Sequence, residues 1–186
     1  MSVNKDTRTG PSFGLSTRLL RILWIFCWLL LCRWTPPPLH RWRALVLRAF
    51  GAKLGKQTHI YASAQIWAPW NLTVDDQVGI GPKTMIYSQG KISIGARAVI
   101  SQGSHLCAGT HDYNDPGFRL ITKPIVIGAD CWIAAEAFIH PGVTLGEGCV
   151  VGARSVVTSD LPEWSICSGF PAKVLRERNQ QLSNIL

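Results

Sequence analysis

The sequence lacks a hydrophobic run that could cross a bilayer as a helix. The longest uninterrupted apolar run, Ile22–Cys32, has eleven residues, and a membrane-spanning helix needs about twenty. No small-residue cleavage site follows this run, because the sequence RWTP comes next, at 33–36. A secretory signal peptide is therefore not predicted, and we expect a cytoplasmic protein.

Acidic side chains are almost missing from the first third of the chain. Residues 1–56 hold ten Lys and Arg side chains and one acid, Asp6, whereas the remaining 130 residues hold nine basic and ten acidic side chains. The formal net charge of +8 therefore belongs to the N-terminal segment, and the rest of the chain is nearly neutral. Because the basic charge does not extend over the main domain, we predict no nucleic-acid partner.

The six cysteines include no CxxC pair, so neither a zinc ribbon nor a dithiol redox motif is indicated. Cys131, Cys149 and Cys167 are each eighteen residues apart, a spacing that predicts one stacked column if the chain coils every eighteen residues. Stacked strands lie about 4.8 Å apart, a distance that a disulfide could span. We nevertheless favour reduced thiols at small inward positions, because free cysteine behaves as a small buried hydrophobe.

An aliphatic residue returns at every sixth position through the run from Ile127 to Thr158. Neither a helix nor an ordinary strand repeats at six, whereas a hexapeptide repeat is typical of a parallel β-helix. Each unit supplies one short strand and one corner, and its aliphatic side chain points into a triangular coil. The repeated positions are Ile127, Ile133, Ile139, Leu145, Val151 and Val157.

The same repeat extends back to Leu54 with two changes of frame. The frame slips by two residues within the sequences LTV at 72–74 and ISI at 92–94. Together the frames predict an all-β solenoid of about five coils over residues 54–162. The repeat breaks between Leu106 and Ile125, which predicts a loop over 108–124 that leaves the solenoid, a usual place for binding residues.

The two ends of the chain do not follow the repeat. Residues 1–14 are polar and predicted to be disordered, and 15–50 is predicted to form two amphipathic, basic, Trp-rich helices, separated by Pro36–Pro38. These helices either cap the solenoid or lie on an anionic membrane surface, which tryptophan and arginine both favour. Residues 163–186 form a C-terminal tail, with a short helix predicted over 174–186.

Four segments of the chain resemble the left-handed β-helix acyltransferases of the sugar O-acetyltransferase type. They are the hexapeptides, THDYND at 110–115, IGADCWI at 127–133 and GFPAKVLRER at 169–178. With PSFGLSTRLLRILW at 11–24 and APWNL at 68–72 included, nearly the whole chain resembles the colanic acid biosynthesis acetyltransferases more closely.

The resemblance carries expectations about fold, assembly and activity. It implies a left-handed coil, a homotrimer, and acetyl-CoA bound in a groove between neighbouring subunits. The expected reaction is transfer of the acetyl group to a sugar hydroxyl during synthesis of an exopolysaccharide or another surface polysaccharide. The expected acceptor is a saccharide, which could be linked to a lipid. The N-terminal helices would hold the enzyme at the inner membrane.

His111 is the predicted catalytic residue. An alcohol is a poor nucleophile, and a neutral imidazole within hydrogen-bond reach can accept its proton as it attacks a thioester. His111 lies where the repeat breaks into the loop, and it matches the catalytic histidine of the sugar acetyltransferases. Asp112 and Asp115 are adjacent acids; either could orient the imidazole or take an ordinary role in a turn.

The resemblance also assigns a set of acetyl-CoA contacts. An aromatic residue packs near the thioester and pantetheine arm, small residues let the cofactor approach the backbone, and basic residues meet the phosphates. Ser159 departs from the lysine often found at its position, and Arg154 could replace that charge. The predicted cofactor-binding residues are Trp132, Ala135, Ala153, Thr158, Ser159, Lys173 and Arg176.

The acceptor site is less well marked, and other functions stay open. Ser88 and Asp112 are the predicted acceptor-binding residues, with Gln89 as an alternative to Ser88. Within the same fold, N-acetylation of an amino sugar or acetylation of serine is the alternative reaction. Two more distant alternatives are a non-catalytic β-helix and a metal site formed by His105, His111 and His140. The spacings of these histidines place them on different sides of the coil, so we predict no metal.

Overall fold

Three sheets of mostly parallel strands form the walls of a triangular solenoid in the computed structural model, which describes residues 12–179. Face 1 contains β1 (Lys53–Leu54), β4 (Leu72–Val74), β7 (Ile92–Ile94), β12 (Ile125–Ile127) and β15 (Thr144–Leu145). Face 2 contains β2 (His59–Ile60), β5 (Gly79–Ile80), β8 (Val99–Ile100), β13 (Trp132–Ile133), β16 (Val150–Val151), β18 (Ser165–Gly169) and β19 (Ala172–Glu177). Face 3 contains β3 (Gln65–Ile66), β6 (Met85–Tyr87), β9 (His105–Cys107), β14 (Phe138–Ile139) and β17 (Val156–Val157).

The strand register confirms the hexapeptide frames and their slips. Val74 pairs with both Leu54 and Ile94, so the first two coils take twenty residues each, whereas Ile127 pairs with Leu145 eighteen residues on. The extra residues belong to the aliphatic-x-aliphatic strands β4 and β7, each of which buries two aliphatic side chains and turns the middle one outward. The paired strands give about five coils, as predicted.

Inward aliphatic side chains stack through the centre of the solenoid. On face 2 the column runs Ile60, Ile80, Ile100, Ile133, Val151, and every member is fully buried. Such a coil tolerates little extra volume, because protein interiors are close-packed. The corners are equally tight: a Cβ on Gly128 would lie 2.7 Å from the backbone nitrogen of Glu147 in the next coil.

The prediction of a single cysteine column is half wrong. Cys131 and Cys149 share a column, but the last coil is two residues shorter, so Cys149 faces Ser165 and Cys167 faces Val151. Cys167 thereby ends the aliphatic column as a small hydrophobe. All six cysteines are free thiols, as predicted, and burial raises the pKa of Cys131 to about 11 and that of Cys149 to about 12.

Two helices precede the first coil: α1 (Leu15–Leu31) and α2 (His40–Ala49), with a short 3-10 turn at Pro37–Leu39 between them. The indole of Trp24 is buried and donates to the carbonyl of Ile66 at 2.7 Å. Arg43 is fully buried, and its guanidinium donates to the carbonyl oxygens of Ile60, Pro36 and Pro37. These contacts fix both helices against the first coils. Among residues 12–179 no helix is long and apolar enough to cross a membrane.

The ends of the described chain differ from prediction. The prediction of a helix over 174–186 is wrong for the described residues. Residues 172–177 instead form β19, which is antiparallel to β18 at the end of face 2. Residues 1–11 and 180–186, predicted as disordered tail and as helix, lie outside the described residues. Phe13, also placed in the disordered tail, is buried with its ring 4.8 Å from that of Trp67.

Candidate active site

The loop over 108–124 leaves the solenoid at the edge where face 3 turns into face 1. It forms an antiparallel hairpin of β10 (Gly109–His111) and β11 (Leu120–Thr122). His111 is the last residue of β10 and pairs with Leu120 across the hairpin. The broken repeat therefore indicated the correct segment, but part of that segment is strand rather than irregular loop.

One ring nitrogen of His111 is held by the backbone of the hairpin. Its Nδ1 lies 2.8 Å from the carbonyl oxygen of Phe118. A carbonyl oxygen only accepts hydrogen bonds, so Nδ1 carries the proton in this contact, and in the neutral imidazole Nε2 keeps its lone pair. The Phe118 ring stacks on the imidazole with the centroids 4.4 Å apart and the planes 8° from parallel. This arrangement leaves Nε2 as a proton acceptor in a fixed direction.

The two loop carboxylates stabilise the turn between the hairpin strands. Asp112 accepts a hydrogen bond from the backbone nitrogen of Asn114. Asp115 forms an ion pair with Arg119 and accepts from the backbone nitrogen of Gly117. The bond to Arg119 is the main cause of a lowered pKa for the Asp115 carboxyl. The observed contact to His111 Nδ1 is made by a backbone carbonyl and not by a carboxylate. Asp112 and Asp115 therefore have the ordinary role in a turn and do not orient the imidazole.

The hairpin rests on a tightly packed base formed by the preceding coil. Gln89 is buried, and its Nε2 donates to the Tyr87 hydroxyl at 2.9 Å. A Cβ on Gly109 would lie only 2.0 Å from Gln89 Oε1, so a side chain at Gly109 would displace this amide. The Cys107 thiol donates to the Gly109 carbonyl. The start of β10 is therefore positioned by Gln89, one coil earlier, and by Cys107, two residues before it.

The prediction that Ser88 binds the acceptor is wrong for its side chain. Ser88 is fully buried, and its hydroxyl accepts from the backbone nitrogen of Ala68 and donates to the carbonyl of the same residue. These two bonds satisfy backbone groups at the corner of the preceding coil. No surface of the Ser88 side chain is left for a ligand.

Face 2 presents an outward row of side chains that crosses four neighbouring strands. Trp132 pairs with Val150, Val150 with Ile166, and Ile166 with Arg176. Trp132 is half exposed, and its indole nitrogen donates to the Ser101 hydroxyl at 3.0 Å. Because strands lie about 4.8 Å apart, the row extends over roughly 14 Å from an aromatic end to a basic end.

The edge between faces 2 and 3 lies beside this row. Ala135 and Ala153 occupy the same corner one coil apart, and the Ala135 carbonyl accepts from the backbone nitrogen of Arg154. Lys173 is exposed and pairs with Ser168 at the end of the same edge. The Arg154 side chain is paired with Glu136 at 2.7 Å. Within one chain Arg154 is on a different edge from Ser159, so it does not replace a lysine there.

Thr158 and Ser159 follow β17 and are exposed on the edge between faces 3 and 1, the edge from which the His111 hairpin also leaves. The predicted site residues thus divide into two groups. His111, Thr158 and Ser159 belong to the 3–1 edge, whereas Trp132, Ala135 and Lys173 belong to face 2 and the 2–3 edge. Face 3 separates the groups, so one chain alone does not bring them into one cluster.

The three histidines weighed as a metal site have different surroundings. His105 packs between the rings of Tyr87 and Phe138, and His140 contacts the other side of Phe138. His111 stacks on Phe118 in the hairpin. Over residues 12–179, no three His, Cys, Asp or Glu side chains lie close enough together to hold a metal ion.

Comparison with known proteins gives this architecture a family. The model of the bacterial transferase hexapeptide (six repeats) matches residues 124–159. WcaF of Escherichia coli K12, named as an acetyltransferase of colanic acid biosynthesis, is 50% identical over 145 residues, which cover 78% of this chain and 80% of WcaF. The chain belongs to the hexapeptide-repeat acetyltransferases.

Two further relatives extend the comparison. The galactoside O-acetyltransferase of Escherichia coli K12 is 32% identical over 126 residues, covering 67% of this chain and 57% of that protein. Among solved structures, the hexapeptide-repeat acetyltransferase VCA0836 of Vibrio cholerae, complexed with acetyl coenzyme A, superposes with a TM-score of 0.82. Its sequence is 24% identical, and the match covers 91% of this chain and 93% of that one.

Membership of the hexapeptide-repeat acetyltransferases confirms the expected fold. The solenoid is a left-handed parallel β-helix, and a superposition over nine-tenths of both chains requires the same hand in each. Phe118, whose backbone oxygen makes the contact to His111, was not among the predicted site residues. No residue type indicated it, because its left-handed φ of 49° is uncommon for a bulky residue.

Proposed function

We propose that this acetyltransferase transfers the acetyl group of acetyl-CoA to a hydroxyl of a saccharide used in surface polysaccharide synthesis. The observation that carries the proposal is the bond from His111 Nδ1 to the Phe118 carbonyl, which leaves Nε2 as a directed base. The saccharide acceptor is supported by the names of two relatives, an acetyltransferase of colanic acid biosynthesis and a galactoside O-acetyltransferase.

His111 moves one proton in the proposed reaction. Its Nε2 accepts the proton of the attacking hydroxyl as that oxygen forms the new ester bond, a contribution of about 10²–10⁴ in rate. The imidazolium that results is stabilised by its Nδ1–H bond to the Phe118 carbonyl. His111 then returns the proton to the sulfur that leaves as the carbon–sulfur bond breaks. Acetyl-CoA supplies the acetyl group as a thioester.

The surface around Trp132 fits acetyl-CoA. The exposed Trp132 indole offers an apolar plane for the thioester end, and the corner residues Ala135 and Ala153 present no bulky side chain. At the other end of the row, Arg176 and Lys173 are exposed and supply charge for the phosphates. Thr158 and Ser159 would contact the nucleotide, and Asp112 remains the proposed acceptor contact on the hairpin.

A homotrimer would complete the site. His111 and Trp132 lie on opposite sides of face 3 in one chain, so a base from one subunit and a cofactor surface from its neighbour would have to meet. Acetyl-CoA would then lie between neighbouring subunits, with the saccharide on the side of the hairpin. This arrangement explains why a single chain carries both halves on separate edges.

The N-terminal helix supports a location on the surface of the inner membrane. α1 buries Trp24 and Trp28 against the solenoid but exposes ten aliphatic or aromatic side chains around the rest of its circumference. The described residues 12–56 hold eight Lys and Arg side chains and no acid. An apolar surface with basic neighbours favours the interface of an anionic membrane. The exposed residues of α1 are Leu15, Leu19, Leu20, Ile22, Leu23, Ile25, Phe26, Leu29, Leu30 and Leu31.

The experiment for the reaction measures thiol release from acetyl-CoA together with the mass of the acetylated acceptor. The acceptors screened are nucleotide sugars and lipid-linked oligosaccharides, with amino-sugar analogues to detect N-acetylation. His111→Ala should lower acetyl transfer about 100-fold or more while calorimetry still detects CoA binding. His59→Ala, at an exposed histidine of the first coil, is the control and should keep full activity. Full activity of His111→Ala would remove His111 from the mechanism.

A further inference from the structure

A groove runs beside the contact between α1 and the outer surface of face 3. It encloses about 400 Å³ between the helix and strands β3 and β6, within the range of ligand pockets. Its helix wall is apolar, formed by Trp24, Ile25, Trp28 and Leu29, and small residues such as Ala62 and Ala64 line the opposite wall. The groove therefore has the volume of a ligand pocket and offers an apolar chain aromatic and aliphatic contacts.

Arginines stand along this groove, and no carboxylate lines it. The Arg21 guanidinium stacks over the Trp67 ring at 4.0 Å. Its Nε is buried and, among the described residues, has no hydrogen-bond partner. Burial lowers the pKa of this guanidinium. The rest of the Arg21 side chain is partly exposed and lines the groove, so its terminal N–H groups can donate to an anion there. Arg33 lies in the turn that follows α1 and also lines the groove.

The groove is close to the proposed site of acetyl transfer. Strand β6 pairs with β9, and Tyr87, which lines the groove, pairs with Cys107, two residues before the His111 hairpin begins. One strand spacing is about 4.8 Å, so the two lie on neighbouring coils. The groove also adjoins the exposed apolar surface of α1, which we place on the membrane. A lipid leaving the membrane would meet the groove before it reached His111.

We propose that the groove binds the phosphate-bearing isoprenoid chain of a lipid-linked saccharide, with the phosphate on Arg21 and the chain along the exposed side chains of Ile25 and Leu29. The choice of a carrier lipid rests on the proposed function, because only a lipid that carries a saccharide brings a hydroxyl toward His111. The α1 helix of a second copy is a poorer occupant, because α1 contains no acidic residue that could meet Arg21.

The test titrates the full-length protein with farnesyl phosphate and follows tryptophan fluorescence, because Trp24, Trp28 and Trp67 line the groove. Farnesyl phosphate should bind at least about tenfold more tightly than farnesol, and inorganic phosphate alone should not bind. Dodecyl phosphate distinguishes between the two possible sources of such a ligand, a carrier lipid and a phospholipid. Weaker binding of dodecyl phosphate supports a carrier lipid, and equal or tighter binding indicates a phospholipid and overturns the proposal.

Three variants assign the binding to the groove. Arg21→Gln should weaken farnesyl phosphate binding about tenfold and leave farnesol binding unchanged. Arg18→Gln removes the same charge from the exposed side of α1 and should bind like the parent protein. Ala62→Phe should fill the groove and abolish binding of both ligands. Equal losses in Arg21→Gln and Arg18→Gln, or unchanged binding in Ala62→Phe, would overturn the proposal.

Two further measurements make a failure interpretable. Circular dichroism confirms that each variant is folded, and light scattering follows the oligomeric state. If Ala62→Phe disrupts the oligomer, the groove is a subunit contact and the proposal is wrong. Acetyl transfer to a water-soluble saccharide should survive in Arg21→Gln. If farnesyl phosphate does not bind but this activity persists, only the groove proposal is wrong. If the activity depends on no residue of the His111 hairpin, the proposed function is wrong, and this conclusion does not depend on what the groove binds.

Discussion

His111 and Phe118 make two contacts with each other across the active-site hairpin. The Nδ1 of His111 lies 2.8 Å from the Phe118 carbonyl oxygen, and the two rings stack with centroids 4.4 Å apart. Phe118 adopts a left-handed φ of 49°, an uncommon conformation for a bulky residue. The same residue thus fixes the tautomer through its backbone and the ring plane through its side chain. Phe118 is a positioning residue for the proposed base.

Removal of the Phe118 ring should slow the reaction without weakening acetyl-CoA binding. Phe118→Ala keeps the carbonyl but loses the stack, and a stacked aromatic pair contributes about 0.5–1.5 kcal/mol. We expect kcat to fall about three- to tenfold, with the KM for acetyl-CoA unchanged, and Phe118→Tyr to restore kcat. The measurement is steady-state kinetics of acetyl transfer with both variants.

Tyr113→Ala is the matched control for this prediction. Tyr113 is an exposed aromatic residue in the same loop, so its loss should leave kcat unchanged. A merely structural role for Phe118 would lower the melting temperature and change both kinetic constants. A parent-like kcat in Phe118→Ala, or an equal loss in Tyr113→Ala, would show that the stack does not position His111.

The parts of the fold that sequence predicted are those where one side chain decides the local structure. Every sixth position from Ile127 onward must be aliphatic to fill the coil, so the repeat identified the strands, the slips and the loop. His111 followed from the break in that repeat. The orientation of His111 could not be predicted in this way, because the Phe118 backbone oxygen binds Nδ1. The φ angle that directs this oxygen is not encoded by any residue type.

The mistaken predictions concern residues whose structure depends on distant partners. A helix was predicted over 174–186, but β18 offers an unpaired edge that residues 172–177 complete as β19; strand formation depends strongly on such context. Ser88 was predicted to bind the acceptor, yet its hydroxyl is hydrogen-bonded to the backbone of Ala68 in the preceding coil. Neither partner is adjacent in the sequence.

The exposed apolar surface of α1 should bind anionic vesicles. The triple variant L19Q/L23Q/F26Q changes three side chains that are each more than half exposed along one side of the helix. Full burial of such a side chain contributes about 1.5–3 kcal/mol, so the variant should lose at least about 100-fold in membrane partitioning. Cosedimentation with vesicles containing phosphatidylglycerol measures the loss, and parent binding should weaken as salt rises.

Val126→Gln provides the control for the vesicle experiment, because Val126 is an exposed aliphatic residue on face 1, away from α1. Its partitioning should match that of the parent protein. Binding of neutral vesicles as tight as that of anionic ones would contradict a role for the basic residues. If the triple variant keeps its vesicle binding but dissociates into monomers, α1 faces another subunit and not the membrane.

The stability of the protein should fall as the pH is lowered through the range of His105. This side chain packs between the rings of Tyr87 and Phe138, at centroid distances of 6.0 and 4.7 Å, and its Nε2 is buried with no hydrogen-bond partner in the described part of the chain. Burial lowers the pKa of His105 from the ordinary value of 6.5. Below pH 6.5 the unfolded chain therefore binds the proton more readily, and folding loses free energy.

Replacing His105 should remove this contribution. Each proton of difference changes stability by at most about 1.4 kcal/mol per pH unit, or a shift of about 2–5 °C in the melting temperature of a chain of this size. Burial lowers the pKa of His40 as well, so some acid sensitivity should remain. Melting curves between pH 7.5 and 5.5 should therefore show a smaller decline for His105→Phe than for the parent. An identical decline in the two proteins would mean that His105 takes up its proton in the folded state without cost.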